Sequence, residues 1–257
     1  MIEAKQLSKS FIVGKGKKQN TVHAVEQINF LAKNACITGL LGPNGAGKTT
    51  TMRMLSTLIE PTHGSASVDG FDCKRQAQLV RASLGVLSDA RGLYTRLSAR
   101  ENIAYFGRLQ GMNAALLKTR TAAVIEQLGL ESIADRAPAG FSQGERMKVA
   151  LARALIHDPN NLILDEPTNG LDIMTIRLLR NLLKQLRNQG KCILLSTHIM
   201  QEITALADEV IIISRGKTVT QGSVTDLLTQ AQASSMEEAF MKLAFDATEN
   251  EDGVQQE

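Results

Sequence analysis

The chain has 257 residues, room for one large domain or two small ones at roughly 100–200 residues each. With 43% hydrophobic and 21% charged residues it is neither a disordered nor a fibrous polymer, and a net charge of +3 gives no electrostatic case for a nucleic-acid partner. Apolar runs such as Val210–Ile213 fall far short of the about 20 residues that span a bilayer, and the first five residues show no secretory pattern, so a cytoplasmic protein is expected.

In chain order, Gly14-Lys15-Gly16-Lys17-Lys18-Gln19-Asn20 reads as a basic, solvated loop. Ala35–Leu41 is a short apolar strand, and Thr49–Ile59 has helical spacing through Met52, Leu55 and Leu58/Ile59. Val68-Asp69-Gly70 carries a tight-turn signal. Ser142 with Glu145 three residues on is a capping box that opens a helix through Leu155. Leu162–Leu164 is a buried strand, and Ile173–Gln189 is a helix with Ile176, Leu179, Leu182, Leu183 and Leu186 on one face, ended by Gly190. Cys192–Ser196 and Glu209–Ile213 are further strands. The last twelve residues, 246–257, hold five acids and no base and are expected to be a disordered tail. Strands alternating with helices predict an α/β fold, a mostly parallel sheet covered on both faces. Cys36, Cys73 and Cys192 are far apart, with no C-x-x-C pair, and read as reduced structural thiols.

Gly42, Pro43, Asn44, Gly45, Ala46, Gly47, Lys48 and Thr49, followed by Thr50, fit G-x-x-x-x-G-K-[ST] between a strand and a helix. The glycines let successive N–H groups turn toward phosphate oxygens, and the helix adds its positive end. Lys48 is expected on the β- and γ-phosphates and Thr49 on Mg²⁺. Asp165 and Glu166 close the apolar strand Asn161–Leu164, where the ligand crevice of a doubly wound sheet lies. Asp165 fits the Mg²⁺ shell, and Glu166 fits the group that orients or deprotonates the attacking water.

A phosphate loop alone leaves kinases, GTPases, helicases and transporters open. Phe141-Ser142-Gln143-Gly144-Glu145 narrows them. In the order Gly42–Thr49, Phe141–Glu145, Leu162–Glu166, these segments resemble the Walker A, signature and Walker B motifs of ATP-binding-cassette transporter ATPases. Asn169-Gly170-Leu171-Asp172 resembles that family's D-loop, Ser196-Thr197-His198 its switch histidine, and Phe11 lies where an aromatic stacks on adenine. The likeness covers about residues 2–245.

The resemblance implies a P-loop NTPase fold with a RecA-like core sheet, an N-terminal antiparallel β subdomain and a helical subdomain. It places the nucleotide-binding core at 1–87 and 145–245 and the helical, signature-bearing part at 88–144. It also implies ATP and Mg²⁺ as ligands, an integral-membrane permease as partner, peripheral attachment to the inner face of the cell membrane, and a head-to-tail dimer. In that dimer Ser142, Gln143 and Gly144 of one copy would meet ATP held by the other, Asp172 would lie at the seam, and His198 would hold the γ-phosphate and Glu166 in register.

Two segments depart from the family pattern. Gln143 and Glu145 replace a glycine and a glutamine of the usual L-S-G-G-Q, and Asp89 stands where a Mg²⁺-contacting glutamine is usual, which makes it a further candidate metal ligand. The stretches Leu87–Ile103 and Ala139–Leu155 resemble sodium-export cassettes of the ABC-2 type, with drug, antibiotic or lipid export as the alternative. A cassette acting on DNA or the ribosome would need a second cassette or a long insertion, and only about 90 residues separate Thr49 from Ser142. A small-molecule kinase would need an acceptor pocket and an Arg-rich lid.

Overall fold

The computed structural model describes residues 1–14, 19–88 and 92–246. The basic loop residues 15–18, Asp89 and the acidic tail from 247 onward lie outside the described residues.

Among the described residues, ten strands form one mixed sheet. They are β1 (Ile2–Val13), β2 (Asn20–Ala32), β3 (Cys36–Leu41), β4 (His63–Val68), β5 (Phe71–Asp72), β6 (Leu84–Leu87), β7 (Asn161–Asp165), β8 (Cys192–Thr197), β9 (Glu209–Ser214) and β10 (Lys217–Gly222), in the spatial order β5-β4-β1-β2-β10-β9-β3-β8-β7-β6. The half from β9 to β6 is parallel, as strands separated by crossover helices must be. The half from β5 to β2 is antiparallel, and the register Lys217↔Gln27 joins the halves. The expected sheet is therefore parallel only where helices connect its strands. The hairpin partners β1, β2, β4 and β5 complete it on the other side.

Alternation sets the two cores. Along β7, Leu162 and Leu164 face one cluster and Ile163 the other; along β8, Ile193 and Leu195 oppose Cys192 and Leu194. Each of these side chains is fully buried and contributes about 1.5–3 kcal/mol. One face is covered by α1 (Lys48–Leu55) and α2 (Ala77–Ser83). The other is covered by α3 (Ala99–Leu109), α4 (Ala114–Gln127), α5 (Gln143–Leu155), α6 (Ile173–Asn188) and α7 (Met200–Leu206). Helices α8 (Val224–Gln230) and α9 (Met236–Met241) follow. Among the described residues, no helix is long and apolar enough to cross a membrane. All three cysteines are free and buried.

Two boundaries differ from the sequence reading. The strand expected from Ala35 starts at Cys36, because Ala35 takes a left-handed turn (φ 53°). The helix expected to reach Ile59 stops at Leu55. The Ser56 hydroxyl donates to Met52 O (2.6 Å) and Thr57 turns left-handed (φ 60°), leaving Leu58 67% exposed. The Asp69-Gly70 turn is as read: both residues have positive φ (50° and 82°) and join β4 to β5.

Candidate active site

The phosphate loop leaves β3, all six residues of which are buried, so its start is fixed by the core. A Cβ on Gly42 would strike the backbone of Ile213, and one on Gly47, the N-cap of α1 at φ +99°, would lie 2.7 Å from Ala24 O. These two positions therefore exclude side chains, and the loop lies flush against β2 and β9. No side chain caps α1, so the N–H groups of Lys48, Thr49 and Thr50 have no partner from a cap or from the helix itself and form an anion-binding end.

Lys48 is buried, and its Nζ donates to Gly42 O (2.7 Å) and Pro43 O (3.2 Å), with Glu166 Oε1 3.7 Å away. Burial pulls its pKa below the ordinary lysine value, opposed by the Glu166 and Asp165 charges. The ammonium thus sits at the loop with two carbonyl partners and two carboxylates near it.

The neighbouring strand order β3-β8-β7 brings the other groups together. Asp165, 6% exposed at the end of β7, accepts from Thr49 Oγ1 (3.3 Å) and from Ser196 Oγ on β8 (2.6 Å). Ser196 Oγ also accepts from Glu166 N (3.0 Å). The next residue, Glu166, has φ +47°, a left-handed conformation that costs a non-glycine residue of order 1–3 kcal/mol. That turn aims its carboxylate at His198, whose Nδ1 lies 3.1 and 3.0 Å from the two oxygens. Because a carboxylate only accepts, Nδ1 carries the proton.

The donor set fits Mg²⁺. Thr49 and Asp165 offer a hydroxyl and a carboxylate side by side, and the described residues hold no cluster of three metal-ligating side chains that would make an all-protein cage. A hard ion with few protein ligands and the rest from phosphate and water is the usual Mg²⁺ arrangement.

The signature segment lies elsewhere, at the start of α5. Ser142 Oγ accepts from Glu145 N (3.1 Å), and Ser142 N donates to Glu145 Oε2 (2.7 Å), the reciprocal box expected from the sequence. Ser142 and Gln143 are exposed. Gly144 packs on Thr175, whose hydroxyl donates to Asp172 Oδ2 (2.6 Å), and Asp172 caps α6 by accepting from Thr175 N (3.0 Å). Those hydrogen bonds hold the Asp172 carboxyl below the ordinary aspartate value. Phe11 stands on β1, 38% exposed, opposite Val22, with Lys9 Nζ 5.2 Å from its ring centre.

Sequence reasoning gave Ser196 no role of its own, yet its hydroxyl positions both carboxylate residues. The signal available was a hydroxyl residue ending the apolar run Cys192–Leu195. Gln143 lying against Gly170 was likewise not foreseen.

A phosphate-binding loop on one strand, a carboxylate pair on a second and a histidine on a third define a P-loop nucleotide hydrolase of α/β architecture. Residues 25–169 match the ABC transporter family, and the chain belongs to it: it is an ABC transporter ATP-binding subunit and an ATPase. It is 42% identical to the ABC transporter ATP-binding protein NatA of Bacillus subtilis (strain 168) over 87% of this chain and 92% of that protein. It is 32% identical to the linearmycin resistance ATP-binding protein LnrL of the same organism over 94% of this chain and 78% of that one. A solved structure described as an ATP binding subunit of an ABC transporter superposes with TM-score 0.82 at 28% identity, covering 94% of this chain and 98% of its own.

Proposed function

We propose that two copies of this chain hydrolyse ATP between them and drive an exporter whose membrane-spanning part is a separate permease, with Na⁺ as the exported solute. The observation that carries the hydrolytic part is the run of contacts from Thr49 through Asp165 and Ser196 to Glu166 and His198.

In this reading the loop 42–50 holds the triphosphate through its backbone N–H groups, a donor that Pro43 lacks, and Lys48 exchanges its loop carbonyls for β- and γ-phosphate oxygens. Thr49 and Asp165 hold Mg²⁺, which offsets charge on the phosphates. Asp89 is a further candidate ligand for it. Glu166 takes or orients the water's proton, its carboxylate held at His198. His198 keeps that carboxylate from swinging back onto Lys48. Phe11 covers the adenine.

Ser142 and Gln143 are exposed at the start of α5, where Ser142 and the N–H groups of the first turn would meet a phosphate brought by a second copy, with Asp172 at the seam between copies. Residues 88–144 form the helical part that meets the permease on the inner face of the membrane, and 1–87 with 145–245 form the nucleotide-binding core. The solute rests on the likeness to NatA. Likeness to the linearmycin resistance protein favours a second reading, antibiotic or lipid-like export, with the same ATPase chemistry.

The test is Glu166→Gln. It should abolish turnover, keep Mg·ATP binding and move the chain from monomer to dimer on gel filtration when ATP is present. A variant that binds ATP and stays monomeric would overturn the two-copy site. Efflux of ²²Na⁺ from cells making the chain with its permease, against efflux of a lipophilic antibiotic, separates the two solutes.

A further inference from the structure

We infer that Gln143 is a positioning residue that ties the first turn of α5 to the loop carrying Glu166. The inference rests on the two-copy site proposed above. A Cβ placed on Gly170 would collide with Gln143 Oε1 and lie 3.1 Å from its Cδ, so the Gln143 carboxamide lies directly on the Gly170 backbone. Gly170 has φ +71° and lies in the second of two successive turns after Glu166, closed by Asn169 N donating to Glu166 O (3.2 Å) and Leu171 N to Thr168 O (3.1 Å). A second contact runs in parallel: a Cβ on Gly144 would sit 3.0 Å from Thr175 Oγ1, the hydroxyl held by Asp172.

The first turn of α5 is therefore seated on the segment 166–175 at two points, one supplied by the Gln143 side chain and one by the absence of a side chain at Gly144. Glu166 at the near end of that segment belongs to the chain's own nucleotide site, whereas Ser142 faces the nucleotide of the second copy. A shift of Ser142 on meeting phosphate is passed by Gln143 to Gly170, and by two hydrogen-bonded turns to the Glu166 backbone. The chemistry of one site is thus set partly by occupancy of the other. A glycine at position 143 would leave only the Gly144–Thr175 contact.

The test is a double-mutant cycle in the full chain with Mg·ATP. The backbone N–H of residue 143 survives substitution, so Gln143→Ala should lower kcat about fivefold with KM for ATP changed less than about twofold. Gln143→Met, which restores the reach without the amide, should recover most of the rate, because the contact is one of shape. Gly170→Ala should cost about tenfold with Gln143 present and about twofold in the Gln143→Ala background, where only the positive-φ strain remains. Thermal unfolding of the Gln143 variants should match the parent, since the side chain is exposed. An unchanged kcat for Gln143→Ala, a loss confined to KM, or equal Gly170→Ala costs in both backgrounds would overturn the inference while the ATPase reading stands. A parent chain that neither hydrolyses ATP nor pairs would overturn both.

Discussion

The His198 ring faces both oxygens of Glu166 from one side, at 3.1 and 3.0 Å, while Lys48 lies 3.7 Å from Oε1. The carboxylate thus lies between an imidazole at hydrogen-bond distance and an ammonium at ion-pair distance, and His198 is the partner that orients both of its oxygens.

Removing the ring should therefore slow hydrolysis without abolishing nucleotide binding. His198→Ala is expected to lower kcat about 100-fold, since misplacing Glu166 forfeits part of what a positioned general base contributes, with the ATP dissociation constant changed only a few-fold. His198→Gln, which keeps one donor, should retain more rate than Ala. Single-turnover hydrolysis measured beside equilibrium binding of a fluorescent ATP analogue checks both. Equal rates for the two variants would show that the donor to Glu166 is not what matters.

Glu145 gives a second prediction. Its carboxylate accepts from Ser142 N at 2.7 Å and so places a negative charge within one turn of the proposed meeting point with the second copy's phosphate. Gln at this place can still complete the capping box, since Glu and Gln both serve there, and it carries no charge. Glu145→Gln should thus let the Glu166→Gln chain dimerise at several-fold lower ATP, with a stability change of about 0.3–1 kcal/mol at most from the lost helix-end charge. The advantage should shrink in 0.5 M salt, where the Debye length falls to only a few Å. Light scattering against ATP concentration reads it directly, and an unchanged midpoint would show that Glu145 does not face nucleotide.

The parts of this site that were legible in the sequence are those governed by rules of short range. The Gly42–Thr49 loop, the Ser142–Glu145 box and the Asp69-Gly70 turn each depend on residues at most a few positions apart, and each has the structure its spacing implies. Ala35 and Thr57 escaped because nothing in an alanine or a threonine announces a left-handed backbone, and the hydroxyl of Ser56 that helps to stop α1 has other uses in a helix. Ser196 and Gln143 escaped for a different reason. Their partners, Asp165 and Gly170, are 31 and 27 positions away and become neighbours only through the strand order β3-β8-β7 and the packing of α5 on the start of α6.

His157 gives a prediction about pH. It follows the C-terminal end of α5, and burial holds its pKa below 6.5 against opposing pulls from the Leu84 backbone and Asp158, with Lys191 and Arg120 pushing the same way as burial. Between 6.5 and that lower value the unfolded chain takes up a proton that the folded chain refuses, so stability falls as pH falls through this window. The melting temperature of the parent should drop between pH 7.5 and 5.5 by more than that of His157→Leu, which has no such group to protonate. Scanning calorimetry of both across that range checks it. Parallel curves would mean that His157 titrates alike in both states.

Lys48 sets function against stability. The fold disfavours its charge, since burial lowers its pKa by more than Glu166 and Asp165 restore, and its two hydrogen bonds go to loop carbonyls. Lys48→Met keeps the buried stem and removes the ammonium. Such a chain should melt at the same temperature as the parent or higher, while its ATP dissociation constant rises at least about 100-fold, as loss of a charge-assisted contact worth about 3 kcal/mol would produce. Differential scanning fluorimetry without nucleotide, followed by the same scan with Mg·ATP, gives both numbers in one experiment. The parent should gain several degrees on adding ATP and the variant none, because only ligand bound to the folded state raises its melting point. A variant that melts well below the parent without nucleotide would mean that the ammonium anchors the loop, and the trade between the two would have the opposite sign.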